Sequence, residues 1–227
     1  MPPYPLFTFV GFLIHTVVFY AVGIRCSKRW NDKSFFLIGI GSLLNAINFN
    51  IILVLFFLFP NLLMKSYIFL FNASVIVPFG VLFFVGALVY YGKRSRAFLL
   101  PYLVIGGVLI GYLYLGTLEQ FRNLPFESSY VHPSFPKLVG QNQSAGIISG
   151  LVMSLFFFYN AFLSTLFIKR RALIFSAACL LLGASSLYWI SLTPTLYISA
   201  HIIGSIGSLL IAYGVFAYAI PPTEKTY

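Results

Sequence analysis

Two imidazoles stand where the chain offers them almost no water. His15 falls within "FVGFLIHTVVFY" and His201 within "LYISAHIIGSIG", both long apolar runs. Three chemistries suit a histidine in such surroundings. It can hydrogen-bond to a neighbouring Ser, Asn or backbone carbonyl as glue between helices. It can contact a ligand or sense pH. Two of them, on adjacent helices at similar depth, can also clamp the iron of a haem b. Zinc fits poorly, because it wants about four ligands and no Cys, Asp or Glu adjoins either residue. The third histidine, His132, lies in a polar, aromatic-rich segment.

The remaining intramembrane chemistry is neutral. Gly41, Asn45 and Asn48 stand at i, i+4 and i+7, one stripe of a helix, with Asn50 off it. Thr8, Gly11 and His15 share one side of the first apolar run, and Asn72, Ser74 and Asn160 add further amides and hydroxyls. Polar groups in such runs are costly and face the interior of a bundle. No Lys, Asp or Glu falls inside a run, so a retinal Schiff base has no lysine and a proton pump has no carboxylate. GxSxG, HExxH, P-loop and SxxK patterns are missing too, and the reading is non-enzymatic. Cys26 and Cys179 make no CxxC or metal-type spacing. Cys179 reads as a small packing residue and Cys26 as a juxtamembrane thiol.

These residues are carried by a chain that is 60% hydrophobic and 8% charged. A soluble domain is roughly 45–50% apolar and about 25% charged, so this is the composition of an integral membrane protein. Seven runs are long enough to cross the bilayer: Leu6–Ile24, Phe35–Phe59, Tyr67–Tyr91, Phe98–Gly116, Ala145–Ile168, Ala172–Leu192 and Leu196–Ile220. They lack the alternation of barrel strands, so the predicted fold is an all-α bundle of seven transmembrane helices in one domain, residues 1–227. An odd number of spans and the lack of a visible repeat argue against an inverted-repeat transporter.

Charge orients the bundle. "RCSKRWNDKS", "GKRSRA" and "KRR" fall in alternate loops, and with Lys225 they hold eleven of the fourteen basic residues. The positive-inside rule then puts the N-terminus outside and the C-terminus in the cytoplasm of a multi-pass cell-membrane protein. This distribution also explains the net charge of +10 without nucleic acid, whose recognition needs a basic stripe rather than inter-span clusters. "MPPYP" has no basic n-region, and the first span is expected to be an uncleaved anchor.

The segment 117–144 is an external loop in this topology, rich in aromatics and expected to cap the bundle. It ends in the sequon Asn142-Gln143-Ser144, a candidate glycosylation site; Asn72-Ala73-Ser74 matches as well but falls within a span. Counted from the outer ends at about 1.5 Å per residue, His15 is about 13 Å deep, His201 and Asn72 about 8 Å and Asn48 about 16 Å. With His132 above them, these four are the candidate ligand-binding residues. Ala200, Gly204, Ser208 and Ala212 repeat every four residues, a small-xxx-small stripe for close helix packing, and His201 stands beside it.

Residues 77–95, "VPFGVLFFVGALVYYGKRS", and the seventh span's end, "YGVFAYAI", resemble the seven-helix N-terminal sensor region of membrane histidine kinases. In that region a proline-containing apolar run ends in Tyr-x-Gly and basic residues, the place that Tyr91-Gly92-Lys93-Arg94 takes here. The resemblance implies the same seven spans and topology. With Tyr227 seven residues past the last span, it also implies a relative that works through a partner instead of its own output domain. The expected function is therefore a sensor- or receptor-like binding module among membrane lipids and other protein subunits, with no cofactor. The alternatives are a haem-b redox subunit using His15 and His201, and a structural accessory subunit of a larger membrane complex.

Overall fold

The computed structural model describes residues 4–29, 31–58, 136–188 and 194–217. Among them the chain is all-helical, in five helices: α1 (Tyr4–Ser27), α2 (Lys33–Leu58), α3 (Pro136–Phe162), α4 (Leu166–Tyr188) and α5 (Pro194–Phe216). Phe9–Ser27, Lys33–Ile51 and Ile198–Phe216 are long and apolar enough to cross a membrane, and Gly146–Phe162 is a shorter apolar stretch. The runs at 67–91 and 98–116, with Asn72 and the motif at 77–95, lie outside the described residues. So do His132 and residues 117–135.

Local hydrogen bonds fix the ends of these helices. Asp32 starts α2 as its N-cap: Oδ1 accepts the Ser34 N–H at 3.0 Å while the carbonyl accepts the Phe36 N–H at 2.9 Å. The apolar run predicted at Ala145–Ile168 breaks after Phe162. There the Asn160 amide donates back to the Phe156 carbonyl at 2.8 Å, and the Asn160 carbonyl accepts from the Leu163 N–H and the Ser164 hydroxyl. Such local bonds compete with the helical ladder and end it. Lys169, Arg170 and Arg171, read from sequence as the connecting loop, belong instead to the first turns of α4. At its other end α3 begins at Pro136, so residues 136–144 are helical, Asn142 included. Proline suits a first helical turn, where its missing N–H would have no partner anyway.

Side-chain contacts give the direction of each neighbour. Gly39 meets Cys26 and Ser27 while Gly23 meets Leu43, so α1 and α2 are antiparallel. Gly150 meets Gly183 and Ser154 bonds Ser176, an antiparallel pairing of α3 with α4. Gly207 against Leu182 and Gly214 against Phe175 set α4 antiparallel to α5. Gly11 meets His201 and His15 meets Ser208, which makes α1 and α5 parallel. The packing order is α2, α1, α5, α4, α3 around a shared core that includes Val22, Phe35, Phe156, Phe175 and Ile211.

Polar residues share the interior of this bundle, and large apolar residues crowd its surface. Buried positions include Thr16, Ser42, Ser154, Ser176, Ser205 and Ser208, whereas Leu155 is 63% exposed and Leu6, Val17 and Leu209 are exposed as well. Hydroxyls and small residues pack inward beside the buried phenylalanines, while many other large apolar residues face outward.

The tightest crossing yields a test. A Cβ on Gly150 would lie 2.5 Å from Gly183 Cα, backbone that cannot move aside. Gly150→Ala is expected to cost about 1–3 kcal/mol, read as a lower thermal midpoint in detergent. A neutral result would mean that α3 and α4 do not meet there.

Candidate functional site

The α1–α5 seam gathers the buried imidazoles. His15 Nδ1 and Ser208 Oγ share a hydrogen bond of 2.6 Å, with Ser208 fully buried on α5. The His15 ring stacks on Phe49 of α2, centroids 5.0 Å apart and planes 24° from parallel. Its Nε2 edge points toward Gly204, where an added Cβ would come within 3.4 Å of it and 3.3 Å of the Ser185 hydroxyl of α4. One imidazole thus touches or faces α2, α4 and α5 from its position on α1.

His201 enters the same seam one helical turn away. It is 4% exposed and lies against Gly11, where a Cβ would come within 2.6 Å of Nδ1. Phe12 meets its ring edge-on at 5.9 Å and also packs on Phe49 at 5.8 Å. Phe12 and Phe49 therefore form an aromatic wall common to both histidines, which are within electrostatic reach of each other. Iron coordinated between the rings would require α1 and α5 to move apart, because each ring already rests on the facing helix at a glycine.

The small residues on α5 have distinct tasks. Ala200, Gly204 and Ser208 are buried, Ala212 half-buried. Gly204 and Ser208 bring α1 close; Gly207 and Gly214, off that stripe, admit the Ala178 carbonyl, Leu182 and Phe175 of α4. Asn48 is buried on α2 beside Phe49 in sequence, and Phe49 is the residue that stacks on His15. Ser34, Gly41 and Asn48, seven residues apart, form a second buried line on the side of α2 opposite Gly39. Among the described residues, Thr16 Oγ1, Ser42 Oγ and Asn45 Oδ1 are buried with no hydrogen-bond partner.

No protein-family model, curated protein or solved structure matches this chain. The chemistry must be read from the seam itself. It offers one hydroxyl–imidazole bond, a second imidazole a turn away and aromatic walls. Among the described residues, no three His, Cys, Asp or Glu groups come together as a metal site.

Several participants escaped the sequence reading. Phe12 and Phe49 carry no polar signal, and Ser208 reads only as a small packing residue. Arg171 reads as a loop cation, yet it is buried, with its guanidinium 5.6 Å from the Phe35 centroid and 5.3 Å from that of Phe175. Its i, i+4 spacing to Phe175 was the available clue. Cys26, read as a juxtamembrane thiol, is buried like Cys179.

A double-mutant cycle tests the central bond. His15→Phe and Ser208→Ala are expected to couple by about 0.6–1.7 kcal/mol, the range of interhelical hydrogen bonds within membranes, measured by unfolding in detergent. Additive effects would mean that the two groups do not interact. Gly11→Ala, whose Cβ would fall 2.6 Å from His201 Nδ1, is expected to lower the thermal midpoint in detergent, and an unchanged midpoint would mean that α1 and α5 do not meet there.

Proposed function

We propose that the chain is a seven-span membrane protein, N-terminus outside, acting without catalysis as a sensor-like module. Its responsive element is the α1–α5 seam around His15, Ser208 and His201. The many large apolar side chains exposed along the helices support a lipid environment, since so much contiguous apolar surface is unusual in water. Helix directions support the span number. The C-terminus of α2 and the N-terminus of α3 emerge at the same end, so an even number of crossings connects them. The two apolar runs at 67–91 and 98–116 supply two.

Charge supports the orientation. Of the eight basic residues in the described part, seven gather at one end of the bundle and Lys137 alone at the other. That end is cytoplasmic in this reading, and Gly11 and His201 then lie toward the outer half of the bilayer. Asn48, Asn72 and His132 remain candidate contacts for its ligand, and Asn142 a candidate glycosylation site. The observation that carries the reading is the His15–Ser208 bond. It is a polar tie between two parallel helices that meet at glycines, able to break and reform with a small helix shift. The likeness of residues 77–95 to kinase sensor regions points the same way, toward output through a partner subunit.

Two measurements test this. Single cysteines introduced at Pro2 and at Lys28, in a chain lacking Cys26 and Cys179, are expected to react with an impermeant maleimide from outside and from inside respectively; the reverse pattern overturns the orientation. The purified protein is expected to be colourless. A Soret band abolished by His201→Ala would replace the sensor reading with that of a haem-binding redox subunit.

A further inference from the structure

One polar residue of α2 takes no part in the seam. Asn50 stands off the stripe of Gly41, Asn45 and Asn48, and its side chain is exposed. Its place is far from either end of the apolar run. Nine apolar residues, Ile51 to Phe59, follow it, and Phe49 just before it stacks on His15, midway along α1.

Helical geometry gives its direction. Successive residues turn by about 100°, so Asn50 points away from the imidazole that Phe49 meets. On α1, Thr16 turns away from His15 by the same angle. Because α1 and α2 are antiparallel, both rotations lead to one flank of the pair, the flank away from α5. Thr16 is buried there and Asn50 lies at the rim.

The face around Asn50 is apolar. Ile47 and Val54, three residues before and four after it, share its side of α2 and are exposed. Leu13, one turn before Thr16 on α1, is exposed as well. From Phe35 to Leu58 the helix carries no charge. A side-chain amide brings two N–H donors and a carbonyl acceptor, and hydrocarbon answers none of them. Polar groups at such depth are costly and serve as ties between helices. An exposed one marks a face on which a further helix packs.

The chemistry of the group selects that helix. An ionic partner would meet no opposite charge on this face. A second asparagine fits in full, because each amide donates to the other's carbonyl across a twofold axis. Such an isologous contact needs one polar residue per chain, and a single Asn on an apolar stripe can fix register and partner number. We infer that α2 docks against α2 of a second copy of this chain, about a twofold axis at Asn50, with Ile47, Val54 and Leu13 around the paired amides. The inference rests on α2 crossing a bilayer. It uses neither the orientation nor the sensor reading, and it leaves the α1–α5 seam within each copy.

Energy transfer between donor- and acceptor-labelled copies of the intact protein in liposomes, over a range of protein-to-lipid ratios, tests this. Asn50→Leu is expected to weaken the dimer about tenfold, while Asn50→Gln, which keeps the amide, retains most of it. Asn50→Cys, in a chain carrying Cys26→Ala and Cys179→Ala, is expected to form an intermolecular disulfide under mild oxidation. Leu209→Cys, on the exposed face of α5, is expected to form none. A chain that is monomeric at every ratio overturns the inference, as does an Asn50→Leu variant that associates as well as its parent. A thermal midpoint of the detergent-solubilised monomer lowered by Asn50→Leu would give the amide a partner within its own chain and overturn it too. So would crosslinking of Asn50→Cys in native membranes to a different protein in place of a second copy.

Discussion

Every described helix is apolar around most of its circumference, so hydrophobic burial alone cannot decide which faces meet. Lipid competes for any leucine on equal terms with a neighbouring helix. What decides is the distance to which two backbones can approach and the few polar groups that require a partner. Gly150 against Gly183, Gly11 against His201 and Gly39 against Cys26 provide the first; His15 with Ser208 and Ser154 with Ser176 provide the second. Without these contacts the same helices would remain helices, each satisfying its own backbone, but with no defined neighbour.

The two devices occur together. Ser176 donates to the Ser154 carbonyl at 2.9 Å as well as pairing with its hydroxyl, only one turn from the glycine crossing of the same helices. On α5, Ser208 and Gly204 sit one turn apart beneath the same imidazole. Close approach shortens the reach a small hydroxyl needs, and the hydroxyl in turn fixes the rotation at which the glycines face each other. Arg171 follows the same logic at larger scale, a long side chain laid across two aromatic rings from different helices.

The sequence announced the helices more clearly than their pairing. Continuous apolar length places α1, α2 and α5 within a few residues, and the spacing of Ala200, Gly204 and Ser208 marks a close-packed face. It also put His201 on a protein-facing side. The break at 163–165 was hidden because Asn160 and Ser164 act through local hydrogen bonds that hydropathy does not register. The start at Pro136 was hidden because a polar first turn resembles a loop. Phe12 and Phe49 were invisible for a deeper reason. In a chain with 26 phenylalanines, nothing in composition tells a ring stacked on histidine from one facing lipid. The choice of Ser208 as the partner of His15 spans 193 residues, and no periodicity reaches that far.

That separation governs how the molecule is made. His15 is synthesised 193 residues before Ser208, and parallel helices cannot be joined by a short turn. During translation the imidazole enters the bilayer long before its hydroxyl exists. For that interval the nascent α1 must keep a polar ring in hydrocarbon, sheltered by Phe49 once α2 arrives, until α5 inserts alongside. Arrival of α5 therefore supplies the hydroxyl and ends the period in which quality-control proteases can recognise an orphaned polar group.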